Sequence, residues 1–186
     1  MAPLALLHVL LALVAVLIGG WIVGRRKGDP RHRRLGWIYL AFMLPSLAAI
    51  LAQGRRDPAP FHGYAAALAG GLVAAVLVTR FRRRVRAWRS WHAALMSFSL
   101  LGVAVAVGGV LGGLALGVAR GPAYYRMFNG VIVCGAALGL WIINTRPVIW
   151  GRTAGPADRR ARLWFSGLVV AVSLALVLAQ GGWIRP

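Results

Sequence analysis

Acid is almost missing from this chain: three aspartates and no glutamate stand among its 186 residues. The three, Asp29, Asp57 and Asp158, all fall outside the long apolar runs. Hydrolytic chemistry usually relies on paired carboxylates or a Ser-His-Asp set, and these positions supply neither. Proton-coupled pumps and many ion-coupled transporters place carboxylates within the membrane as relays or ligands. With none in any apolar run, both classes are disfavoured. Cysteine is equally scarce. Cys134 stands alone inside an apolar stretch, which excludes an intrachain disulfide and a CxxC site. Lys27 is the only lysine, beside 21 arginines. With abundant alanine and glycine, that bias points to a GC-rich bacterial genome.

Charge of either sign makes up only 13% of the chain, against about a quarter in soluble domains. What is present is apolar, 60% of all residues, with a mean hydropathy of +0.72. The apolar residues fall in blocks, which leaves no room for a separate soluble domain. The blocks predict spans at 3–24, 36–53, 61–79, 91–118, 127–145 and 163–183. At 1.5 Å per residue, each can cross a hydrocarbon core of roughly 30 Å. The expectation is an all-α polytopic bundle, one integral membrane domain over residues 1–186, with six transmembrane helices around a four-helix core. The opening "MAPLALLHVLLALVAVLIGGWIVGRRK" is too long for a signal-peptide core and lacks a basic n-region. It reads as a retained first transmembrane helix.

The net charge of +19 does not point to nucleic acid, because the cations sit in short loops between apolar blocks. The first loop holds Arg25, Arg26, Lys27, Arg31, Arg33 and Arg34; the third Arg80, Arg82, Arg83, Arg84, Arg86 and Arg89; the fifth Arg146, Arg152, Arg159, Arg160 and Arg162. The remaining cations are Arg55 and Arg56 in the second loop, Arg120 and Arg126 in the fourth, and Arg185. The positive-inside rule then places the odd loops in the cytoplasm and both termini outside, in a bacterial cytoplasmic (inner) membrane. Loops of this kind also meet anionic lipid. Asp29-Pro30 and Asp57-Pro58 each offer an N-cap acid followed by proline at the first helical position, and Asp158 offers a cap for the sixth helix.

Four histidines remain: His8, His32, His62 and His92. One belongs to each of the first four helices, near its N-terminal end. Successive helices run in opposite directions, so His8 and His62 fall toward the outside, and His32 and His92 toward the cytoplasm. Two neutral imidazoles on facing helices can clamp a haem iron. One pair near each face would let an electron cross the bilayer. The positive end of a helix macrodipole suits a neutral, metal-binding ring better than a cation. Arg31, Arg33 and Arg34 around His32 suit bidentate contact with haem propionates. The competing reading is that each histidine is an amphipathic residue at headgroup level.

Two resemblances bear on this choice. "HxxxA" at His8, "KGDPRHRRLGWIY" at 27–39 and "WHAALM" at 91–96 resemble an uncharacterised family of bacterial multi-pass membrane proteins. Its signature is KG-x-x-x-HR-x-x-G-x-x-Y with a later His-x-x-x-Met, matched here by His32, Arg33, Gly36, Tyr39, His92 and Met96. That resemblance covers about the first four helices and implies a membrane location. The alternating histidines are also similar in arrangement to the transmembrane di-haem cytochromes b. By that analogy the outer site would use His8 and His62, the inner His32 and His92, each around haem b. A quinone or a redox protein would be the electron partner, making the chain an electron-transfer oxidoreductase.

Other features fit different functions. "GGVLGG" at 108–113 gives Gly108-x3-Gly112 and Gly109-x3-Gly113. Such pairs leave room for a flat macrocycle or, more commonly, let helices pack closely. Close packing in a small protein also fits an accessory subunit or assembly factor of a membrane complex, or a homo-oligomer. A small solute or lipid carrier needs no intramembrane charge either. Trp37, Trp91, Trp141, Trp150, Trp164 and Trp183 mostly stand near helix ends, as aromatic-belt residues do.

Overall fold

A computed structural model describes residues 3–23, 28–53, 59–117, 122–145 and 156–181. Among these described residues there are six α-helices: α1 (Pro3–Val23), α2 (Pro30–Ala52), α3 (Ala59–Arg80), α4 (Trp88–Ala115), α5 (Pro122–Thr145) and α6 (Pro156–Gly181). The fold is all-helical among the described residues. Four helices, α1 to α4, are long and apolar enough to cross a membrane. The apolar stretch described in α5, Met127–Trp141, is shorter.

Most helices begin ahead of the apolar runs. α1, α2, α5 and α6 each open on a proline, whose fixed φ and missing N–H suit the first helical position. The Asp29 carboxylate accepts from the His32 backbone N–H and caps α2. Asp57, Arg25, Arg26, Lys27, Arg55, Arg56, Arg120, Arg146, Arg152, Trp150, Trp183 and Arg185 lie outside the described residues. Asp158 is not a cap. Pro156 opens α6 two residues earlier, leaving Asp158 in the first turn.

The chain divides into two compact units, Met1–Gly70 and Gly71–Pro186. In the first, α1 and α2 form an antiparallel hairpin. The buried positions of α1 are small: Ala12, Ala15 and Gly19. Those of α2 include Tyr39, Met43 and Leu47, spaced four apart on one face. His8 meets Ser46, and this register puts Met43 and Tyr39 level with Ala12 and Ala15. Large side chains of one helix thus fill the space left by small ones of the other. Pro45 removes one amide from the ladder of α2, which membrane helices tolerate.

The second unit is built differently. On α4, a Cβ at Gly113 would meet the Tyr124 ring at 2.6 Å, and one at Gly109 would meet Phe128 at 3.1 Å. On α5, Cβ atoms at Gly135 and Gly139 would collide with Val105 and Leu101 of α4. The contacts pair the end of α4 with the start of α5, so the two are antiparallel and interlock through glycines on both sides. Phe165 of α6 packs edge-on to Trp91 and Phe98 of α4, with ring centroids 6.4 and 5.7 Å apart. Ala94 and Val169 complete that cluster. The first halves of α4 and α6 therefore lie side by side.

Residues 81–87 form a folded turn between α3 and α4. The Arg84 and Val85 amides donate to the Phe81 carbonyl, and the Ser90 and Trp91 amides to that of Ala87. Ala87 has φ 54°, the only positive φ at a non-glycine among the described residues.

Candidate functional site

The four histidines occupy the opening turns of their helices: His8 is the sixth residue of α1, His32 the third of α2, His62 the fourth of α3 and His92 the fifth of α4. The first three belong to the first unit, and His92 to the second.

His8 is fixed to α2 by a reciprocal arrangement. Its Nδ1 lies 2.9 Å from the Ser46 backbone carbonyl and 2.9 Å from Ser46 Oγ. The Ser46 hydroxyl donates to the His8 backbone carbonyl at 3.1 Å. A carbonyl oxygen only accepts, so Nδ1 carries the proton. In the neutral ring the lone pair is then on Nε2. His92 repeats the device in the second unit, with Nδ1–H donating to the Ala75 carbonyl at 3.2 Å. Imidazoles that bind metal characteristically donate their other ring N–H to a carbonyl or carboxylate, which sets both tautomer and ring orientation.

His62 offers a different observation. Its Nε2 is buried and has no hydrogen-bond partner among the described residues. A polar atom left in this state costs roughly 1–3 kcal/mol. A bond from that nitrogen to a bound group would remove the cost.

His32 stands at the other end of the α1–α2 hairpin from His8. It lies fourteen residues from Ser46 on α2, about 21 Å along the axis. Arg31, Arg33 and Arg34 flank it with exposed guanidinium groups. The structure brings His8 to Ser46 and His92 to Ala75. Among the described residues, no three of His, Cys, Asp and Glu gather into a metal-binding group. A porphyrin makes a smaller demand, because it brings four nitrogens and needs only axial imidazoles from the chain.

Ser46 is the hydrogen-bond partner of His8 that the sequence reading missed. It is the only serine of α2, set directly after Pro45 in an apolar run, and it is fully buried. A hydroxyl in that place was a usable signal. The Ala75 carbonyl carried none, since its role depends only on where the backbone passes. No known family, curated protein or solved structure matches this chain.

Proposed function

We propose that the protein is a small multi-pass b-type cytochrome that moves electrons across a bacterial cytoplasmic membrane. In this reading all six helices span, with both termini outside, and the arginine-rich odd loops set that orientation. His8 and His62, at the starts of α1 and α3, would hold one haem through their imidazoles. His92 supplies a ligand to a second. His32 stands at the opposite end of the hairpin from His8, where Arg31, Arg33 and Arg34 suit carboxylates such as propionates.

The carrying observation is the orphaned Nε2 of His62, in the same unit as a His8 whose Nδ1–H is committed to Ser46. One ring has its tautomer fixed for ligation at Nε2, and the other buries that nitrogen without a partner. These residues fit the group. When bound, haem supplies a one-electron couple. The protein's part is to hold neutral imidazoles in fixed orientation within an apolar surround. Ser46 orients the His8 ring, and Ala75 the His92 ring.

The test is optical. The full chain is purified from haem-replete cells, and a dithionite-reduced spectrum is recorded. The reduced bands of a low-spin b-type haem are expected. His62→Ala and His92→Ala should each remove one haem population, with the protein still in the membrane fraction. A colourless preparation of folded protein would overturn the reading.

A further inference from the structure

The tertiary fold assembles a cationic surface that no single loop contains. Arg80, Arg82, Arg83, Arg84, Arg86 and Arg89 belong to the end of α3, the folded turn and the start of α4. Arg159, Arg160 and Arg162 lie some seventy residues later, in the first turns of α6. The packing of Phe165 against Trp91 and Phe98 sets the first half of α6 against the first half of α4, and helices that alternate in direction across the membrane, as in the proposed function, put the first turns of α6 at the end where α4 starts. Nine arginines therefore occupy one end of the second unit. Eight are exposed and Arg162 is half-buried. Asp158 is the only acid in these two segments.

Apolar groups are interleaved with the charge. Phe81 and Trp164 are 49% and 74% exposed. The Arg89 guanidinium lies over the Trp88 ring, 5.4 Å from its centroid. Along α6 below Arg160 lies an open, shallow groove of about 500 Å³, lined by Leu163, Trp164, Gly167, Leu168 and Ala171 of that one helix. Nothing lies within 4 Å of where a Cβ of Gly167 would stand. From Arg160 to Ala171 the helix rises about 16 Å, close to the depth of one hydrocarbon leaflet, half of roughly 30 Å.

We propose that this end of the second unit is a binding site for anionic phospholipid, with the arginines of α3–α4 and α6 holding headgroup phosphates and the Gly167 groove seating an acyl chain. Charge complementarity selects the headgroup. The aromatic residues and the groove beneath select a lipid over a soluble anion. The site rests on the membrane-spanning reading and is independent of haem.

The experiment uses the full chain in phosphatidylcholine nanodiscs, with spin-labelled phosphatidylglycerol or phosphatidylcholine as probe and the motionally restricted fraction as readout. The wild type should favour phosphatidylglycerol at least fivefold, since each engaged arginine near a charged lipid is worth roughly that factor. The preference should fall toward unity at 1 M salt, where the screening length shrinks to about 3 Å. The quadruple variant R82Q/R83Q/R84Q/R86Q should lose most of it, and the matching four-lysine variant should keep most of it. Gly167→Phe should reduce restricted phosphatidylglycerol with every charge in place. Equal retention of both lipids by the wild type, or an unchanged preference in the glutamine variant, would overturn the site. So would displacement of the labelled lipid by millimolar inorganic phosphate. If the glutamine variant fails to fold, the salt series, the lysine variant and Gly167→Phe decide. A protein that stays in membranes without haem bands leaves this site standing; one with haem bands and no lipid preference loses only the site.

Discussion

The α1–α2 hairpin and the α4–α5–α6 bundle solve the same packing problem with opposite means. In the hairpin one helix is smooth and the other bulky. Ala12, Ala15 and Gly19 make a shallow face, and Tyr39, Met43 and Leu47 project toward it. Between α4 and α5 each helix contributes both glycines and side chains, so the surfaces interlock from both directions. The hairpin also contains a polar fastening, the paired bonds of His8 and Ser46. The α4–α5 contacts at the glycines are steric. In lipid, helix association draws on van der Waals packing and interhelical hydrogen bonds, because burying apolar surface gains little over hydrocarbon.

Substitutions can break this comparison, and the largest effect should come from the hairpin's bulky face. Met43 is fully buried. Met43→Ala removes most of its contacts against a face too small to refill the space. Thermal unfolding in detergent should show a loss of about 2–5 kcal/mol. The next effect belongs to the interlock. Gly135→Ala drives a methyl into the β-branched Val105 and should cost about 1–3 kcal/mol. Gly108→Ala, on a part of α4 with nothing within 4 Å, should be neutral or stabilise by up to about 1 kcal/mol. If these two behave alike, the α4–α5 contact is not the one described. The smallest effect falls on the fastening itself. Ser46→Ala removes the hydroxyl but keeps the carbonyl that receives His8 Nδ1–H. It should cost about 1 kcal/mol and leave most of any His8-dependent haem absorbance in place. A complete loss of that absorbance would transfer the orienting role from the carbonyl to the hydroxyl.

Much of the scaffold was legible in the residue order, and the reasons are local. Long apolar runs mark helices because a helix satisfies all its backbone groups within one segment and needs about 20 apolar residues to cross lipid. Asp29-Pro30 marked the start of α2 because capping acts within one turn. The apolar run itself begins only at residue 36, six residues into the helix. Arginines in the first turns of α2 and α6 do not interrupt a helix; they only end its hydrophobic stretch. Glycine patterning was legible only in part. Gly108-x3-Gly112 and Gly109-x3-Gly113 are indistinguishable as strings, yet only Gly109 and Gly113 meet α5. Adjacent residues point about 100° apart on a helix, and the choice of face is made by the neighbour. The candidate site divides in the same way. Four histidines near four helix starts could be read directly, but not the partners that fix the His8 and His92 rings.

Residue order alone determined that this protein would be helical, apolar and cationic at its loops, since hydropathy, capping and charge act over one helix or less. Tertiary structure decided which nitrogen of His8 is committed to Ser46, which glycines interlock, and that the first half of α6 lies against the first half of α4. Those outcomes depend on the register and direction of packed helices, and both are settled by side-chain fit between segments far apart in the chain.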